Sequence, residues 1–222
     1  PAWWPFRATG ALPGTQTWRW RGATWTSAGP DMAFALQTGP SLAVTTARLQ
    51  VADLRLSGPG LTASIGRVEL DLAPAGTPTT RDLSFSFETL DVTGLLQPLQ
   101  HGTLNAVLTF DRAPDLRGRG QVQKIDLNAA QLDWGDTGMT ATGTLTRRAD
   151  ARWDGAITLT LTGWRGFLER LRSAGLMPPD QAPMLGMMAQ RLSAGDSLTL
   201  PLTLDASILR LGPFALFDLG RF

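Results

Sequence analysis

Residues able to do chemistry are few in this chain and widely spaced. Across 222 residues there is one histidine, His101, with no cysteine and no tyrosine. Without thiols there can be no disulfide, no thiolate nucleophile and no cysteine-bound zinc or iron–sulfur centre. Carboxylates and carbonyls are the remaining metal donors, and they suit Ca²⁺ or Mg²⁺. The best-spaced pair is in Asp133-Trp134-Gly135-Asp136, two carboxylates three apart across a glycine turn. Aspartates in such turns ordinarily accept from nearby amides, and that role is expected here in place of a metal. A Ser–His–Asp arrangement would have to use His101, which sits in Leu99-Gln100-His101-Gly102 and reads as a loop histidine. No Gly-x-Ser-x-Gly elbow occurs. Glu69, Glu88 and Glu169 have no evident partner for two-carboxylate chemistry. Gly118-Arg119-Gly120-Gln121 lacks the third glycine of a dinucleotide loop and leads into a strand, so it is a turn. No catalytic residue, cofactor or metal is expected.

Tryptophan placement is more informative. Five of the eight tryptophans (Trp3, Trp4, Trp18, Trp20 and Trp25) fall in the first 25 residues. On a strand, Trp18-Arg19-Trp20-Arg21 puts both rings on one face and both cations on the other. Two readings are open: a surface for a membrane interface or anionic lipid, or a core seam with a solvated outer face. Arg147, Arg148 and Arg152 form a second small basic cluster, expected at a hairpin tip.

Composition says what must position these residues. Glycine (24) and proline (15) are in excess, and charged residues are only 18%, below the usual ~25%. Many short strands separated by turns would use such a composition. The pI near 9.1 accompanies a net charge of only +1. With one lysine, one histidine and no tyrosine, few groups titrate between carboxylate and arginine, so a small imbalance moves the pI far. Nucleic-acid binding needs clustered charge, and none is expected here. No apolar run approaches the ~20 residues of a membrane helix. The chain opens Pro1-Ala2-Trp3-Trp4 without a methionine, which reads as a processed or excised start with any anchor or export signal upstream.

Period-two alternation is the clearest structural signal. It runs through Val68-Leu70-Leu72, Leu83-Phe85-Phe87, Leu104-Ala106-Leu108-Phe110, Ile157-Leu159-Leu161 and Leu198-Leu200-Leu202-Leu204. Each row has one apolar and one polar face, as in an antiparallel sheet wetted on one side. Further strands are expected near 15–21, 31–37, 42–57, 60–65, 121–133 and 138–147. Between Leu49-Val51 and Leu54-Leu56 the parity slips, which calls for a bulge or turn. Pro201 cannot donate to a ladder, so its strand should lie at an edge or carry a bulge.

From 164 to 193 the period becomes helical. Trp164, Phe167, Leu168 and Leu171 form one stripe, and Gly175 suits its C-terminal cap. After Pro178-Pro179-Asp180 the spacing repeats at Leu185, Met188, Ala189 and Leu192, stopping at Gly195. This predicts a helical hairpin packed on the sheet, or else a mobile flap over an apolar groove rich in adaptable Met184, Met187 and Met188. A shorter helical turn is expected at Leu95–Gln100. The whole chain, 1–222, reads as one mainly β domain. Its large curved antiparallel sheet is a meander, an open groove or a partly closed barrel, with the insertion at 164–193.

Several stretches together resemble a known family. They are Thr142-Gly143-Thr144-Leu145, Asp154-Gly155-Ala156-Ile157-Thr158-Leu159, Gly163-Trp164, Phe167-Leu168, Ala174-Gly175-Leu176, Leu200-Pro201-Leu202-Thr203 and Leu211-Gly212-Pro213-Phe214, with Pro5-Phe6-Arg7 near the start. Their order resembles the DUF2125 family of alphaproteobacterial proteins. Phe214-Ala215-Leu216-Phe217 departs from it, being more apolar than the family's ending. The resemblance implies an envelope location with an N-terminal hydrophobic segment and brings no catalytic residues. The strand-rich body is also loosely similar to AsmA-type envelope proteins, which handle lipids along a β-groove. A non-enzymatic periplasmic protein is therefore expected, membrane-anchored through an N-terminal segment. It would bind or guide a lipid-like ligand, or else dock on another envelope protein. Candidate contact residues are Trp18, Trp20, Trp25, Trp164, Phe167, Met184, Met187 and Met188.

Overall fold

The computed structural model describes residues 6–12, 14–20, 23–29, 32–39, 42–93, 97–173, 182–218 and 220. Four short strands come first: β1 (Phe6–Leu12), β2 (Thr15–Trp20), β3 (Ala23–Ala28) and β4 (Met32–Thr38). Long strands follow: β5 (Val44–Gly58), β6 (Leu61–Ala75), β7 (Thr77–Val92), β8 (Leu99–Phe110), β9 (Val122–Trp134), β10 (Thr137–Arg147) and β11 (Trp153–Thr162). Two helices, α1 (Trp164–Ser173) and α2 (Ala182–Leu192), precede β12 (Ser193–Ala194), β13 (Ser197–Asp205), β14 (Ile208–Leu211) and β15 (Phe214–Asp218). The strands form one antiparallel sheet in the order β1-β4-β5-β6-β7-β8-β9-β10-β11-β13-β14-β15, and it does not close into a barrel. From β5 to β11 every strand pairs with its neighbour in sequence, so the long-strand body is a meander.

Register explains why one face is apolar from edge to edge. Leu49 lies opposite Leu70, Leu70 opposite Phe85 and Phe85 opposite Leu104. Across the sheet the same row continues through Ala130, Ala141, Leu159 and Leu200. The opposite face carries polar and charged rows such as Arg48–Asp71–Ser84–Asn105. Each alternating stretch of sequence thus supplies one rung of a continuous apolar lattice.

The parity slip near Asp53 belongs to a line that crosses four strands. Pairing passes from Ala52↔Arg67 to Leu54↔Ile65, from Arg67↔Glu88 to Ile65↔Leu90, and from Glu88↔His101 to Leu90↔Leu99. Asp53, Gly66, Thr89 and Gln100 are skipped together. Asp53 and Thr89 have left-handed φ of 50° and 54°. A Cβ on Gly66 would sit 2.9 Å from the Glu88 carbonyl, so the backbones approach too closely for any larger residue. A bulge in one strand shifts register. One extra residue in every strand at the same level keeps register and returns the apolar side chains to the same face.

Pro201 departs from expectation: its strand β13 lies between β11 and β14 and pairs without a register shift. On one side Pro201 lies opposite Thr158. On its other side β12 pairs only at Leu198 and Ser197, and β14 only from Leu202 onward. Pro201 therefore occupies a gap where no donor is needed. Two further local expectations need correction. Leu99 and Gln100 open β8 instead of ending a helical turn. His101 lies within β8, not in a loop, because its alternation with Gly102 and Leu104 continues the strand.

Candidate functional site

Packing on the apolar face is uneven. At the β10–β13 side, Leu161, Trp164, Ala189 and Leu198 form a buried cluster, with Met139, Leu159, Phe167, Leu168 and Leu200 packed against it. The helical stripe of α1 builds this cover: Trp164 is 4% exposed. Phe167 meets Trp134 edge-on, ring centroids 6.0 Å apart. Polar contacts lock α1 to the β9–β10 turn. Arg170 pairs with Asp136 and donates from Nη1 to Thr137 Oγ1 at 2.6 Å, and Thr137 Oγ1 donates to the Gly163 carbonyl at 3.3 Å. The Arg170 hydrogen bond holds the Asp136 carboxyl below its ordinary pKa. The Asp133–Asp136 turn is thus a clasp for a helix. Among the described residues no group of three His, Cys, Asp or Glu side chains is placed to hold a metal.

Among the described residues the middle of the face has no such cover. Leu70, Leu83, Phe85, Phe87 and Leu104 are each half-buried, and the described helix residues make their main sheet contacts with β10 and β13 instead of β5–β8. Phe85 and Phe87 lie on this face with ring centroids 6.2 Å apart. Phe87 lies opposite Gly102, and a Cβ there would collide with its ring, so the aromatic folds flat across the glycine. Phe34 over Gly10 and Trp25 over Gly58 repeat this device. Rings laid flat keep the apolar surface smooth.

One rim of the sheet curls inward. Ala43 bridges Asp115, the Val44 amide donates to the Pro114 carbonyl at 2.7 Å, and Leu116 N–H donates to the Leu42 carbonyl at 3.2 Å. Within the sheet β6, β7 and β8 separate these two segments, so they meet only where the sheet rolls. Arg81 gives the direction of the roll. It occupies the apolar row, between Pro74 and Leu108, and is 3% exposed. From there its Nε and Nη2 donate to the Val44 carbonyl at 3.1 and 2.7 Å, and Nη1 donates to the Pro78 and Thr80 carbonyls at 3.0 and 2.6 Å. The apolar face is therefore on the inside of the curl. Burial lowers the Arg81 pKa from its ordinary value. At this rim Arg119 Nε donates to Asp115 Oδ2 at 2.7 Å, and that hydrogen bond depresses the Asp115 pKa.

The candidate residues divide into separate groups. Trp164 and Phe167 belong to the helical cover and are held by packing there. Met187 is 62% exposed on α2, while the side chains of Met184 and Met188 lie outside the described residues. Leu192, expected on the packed stripe, is instead 50% exposed, because α2 gives way to β12 directly after it. Trp18 and Trp20 are on β2, opposite Trp25 and Ala23, with side chains outside the described residues. Trp25 is half-buried on β3, which pairs with β5 far from the helices. Gly175 and Pro178-Pro179-Asp180 also lie outside the described residues. Sequence reasoning passed over Leu70, Phe85, Phe87 and Leu104 as site residues, although their alternation was plain; the signal it lacked was which rows stay uncovered.

These features define a class: a single-layer antiparallel meander, curled toward a continuous apolar face, with the described helices packed at its β10–β13 side. The chain matches the model of the family described as "Uncharacterized protein conserved in bacteria (DUF2125)" over residues 1–219, and it belongs to that family. No curated protein and no solved structure matches it.

Proposed function

We propose that the protein is a non-enzymatic periplasmic envelope protein that holds a lipid-like ligand against the apolar face of its sheet. The observation that carries this is the apolar lattice itself, continuous across the sheet and, among the described residues, packed by helices at β10 and β13 instead of over β5–β8. The chain exposes 13017 Å², whereas a compact monomer of 23.8 kDa exposes roughly 9,900 Å². A single-layer sheet leaves exposed what a compact monomer would bury, and an apolar face left so, in a chain with few charges, favours a hydrophobic occupant over bare water. None of the described helices is long and apolar enough to cross a membrane, so the sheet is the candidate lipid contact.

Lipid mass spectrometry tests this. The protein, purified from a host with a cell envelope, is expected to retain lipid at a defined stoichiometry after gel filtration and to release it on organic extraction. Recovery of no lipid, with a stoichiometric protein partner in its place, would transfer the apolar face to the alternative role of docking on another envelope protein.

A further inference from the structure

The apolar face carries charge at two positions only among the described strands, and both charges are positive. Arg81 stands in the row between Pro74 and Leu108, and Arg147 lies opposite Trp153, one rung beyond the Leu145–Gly155 pair on the same face. Both are at the same rim, where β7 begins and β10 ends. The opposite rim has no such charge: its rows end in Val92, Leu99, Trp134 and Thr137, and nearby Arg170 is neutralised by Asp136.

Position on the apolar face sets these two arginines apart from the outer-face cations, several of which are ion-paired while Arg55 is simply exposed to water. There, Arg48 pairs with Asp71, Arg67 with Glu88 at 3.6 Å and Lys124 with Asp126 at 2.8 Å. Neither Arg81 nor Arg147 has a carboxylate within ion-pair distance among the described residues. Arg81 is tied up by carbonyls. Arg147 is half-buried, and one donor, Nη1, reaches Gln121 Oε1 at 2.5 Å. Its remaining N–H groups have no protein acceptor among the described residues. A guanidinium beside an apolar surface, without a counter-charge, is a poor end state. An anionic headgroup would supply both the charge and the acceptors, in the bidentate geometry that arginine favours.

We propose that the ligand is an anionic amphiphile whose headgroup lies on Arg147, with Arg81 adding its field from the same rim and the acyl chain crossing the apolar rows. This rests on the lipid-binding reading above and adds the ligand's charge and its orientation. The acyl chain meets Leu145, Ile125 and Leu108 first, since these neighbour the two arginines in the lattice.

Calorimetric titration with two lysolipids of equal chain length, kept below their micelle concentrations, tests the proposal. Lysophosphatidylglycerol is expected to bind about tenfold more tightly than lysophosphatidylcholine at low salt, with the gap narrowing as salt rises. In Arg147→Gln the gap closes while lysophosphatidylcholine binding is unchanged; Arg147→Lys retains part of it, and Arg117→Gln, an exposed rim control, retains all of it. Equal binding of both lipids by the wild type overturns the headgroup assignment and leaves the apolar-face reading standing. An anionic preference that survives in Arg147→Gln also overturns the assignment. Binding of neither lipid overturns both.

Discussion

Phe85→Glu is expected to strip the protein of retained lipid while Ser84→Glu, one residue away, leaves the lipid in place. Phe85 lies in the centre of the uncovered lattice, between Leu70 on β6 and Leu104 on β8. Ser84 is on the other face, exposed, opposite Asp71 and Asn105. A carboxylate at 85 would be desolvated by any acyl chain lying on the face. With no cation beside it in the row, the penalty is at least about 2 kcal/mol, roughly a thirtyfold loss of affinity. In the free protein the same carboxylate can reach water, because Phe85 is only half-buried, so folding should survive. Circular dichroism and unfolding midpoints of both variants separate binding from folding, and Phe85→Leu should bind nearly as the wild type does. Equal lipid retention by the two glutamate variants would mean that the ligand, if any, lies elsewhere.

Trp164→Ala is expected to lower global stability by about 3–5 kcal/mol, as large-to-small changes of a buried tryptophan do. Trp164 belongs to the buried cluster built from both helix and sheet among the described residues, together with Leu161 and Leu198 of the sheet and Ala189 on α2. Removing it leaves α1 held by Phe167 and Leu168 and by Arg170, which grips Asp136 and Thr137. Denaturant titration measures the loss, and amide exchange should show it concentrated in α1 and α2. A change below about 1 kcal/mol would mean that the helical cover is not part of the folded core and that the hairpin stands off the sheet.

Much of this fold can be read from residue order because a one-sided sheet writes a period of two into every strand. The five alternating rows lie in β6, β7, β8, β11 and β13, and the period change at 164 marks the helices. What could not be read is coordination between strands. Each sequence stretch shows only its own parity slip: Val51 to Leu54, Ile65 to Val68, Phe87 to Leu90. That the slips share one level, and so preserve register, is a property of pairing. The inner-face cations were hidden for a related reason. Arg81 lies two residues before Leu83-Phe85-Phe87, and extending that alternation backwards puts it on the apolar side. A charged residue at a strand end is ordinarily taken as the place where the strand stops. The tryptophan-rich start attracted attention by composition, yet Trp25 lies over a glycine at the far side of the sheet from the helices. Plain leucine and phenylalanine rows, carrying no special chemistry, form the surface with the stronger claim to function.

The absence of native cysteine permits a direct test of that surface. Single cysteines introduced as Leu104→Cys and Asn105→Cys place a nitroxide on the inner and outer faces of β8 respectively. On addition of lipid, the label at 104 should lose collisions with a water-soluble relaxant and gain collisions with oxygen, while the label at 105 stays water-exposed throughout. A label at 104 shielded from both reagents before any lipid is present, or unchanged after its addition, would contradict an open lipid-bearing face.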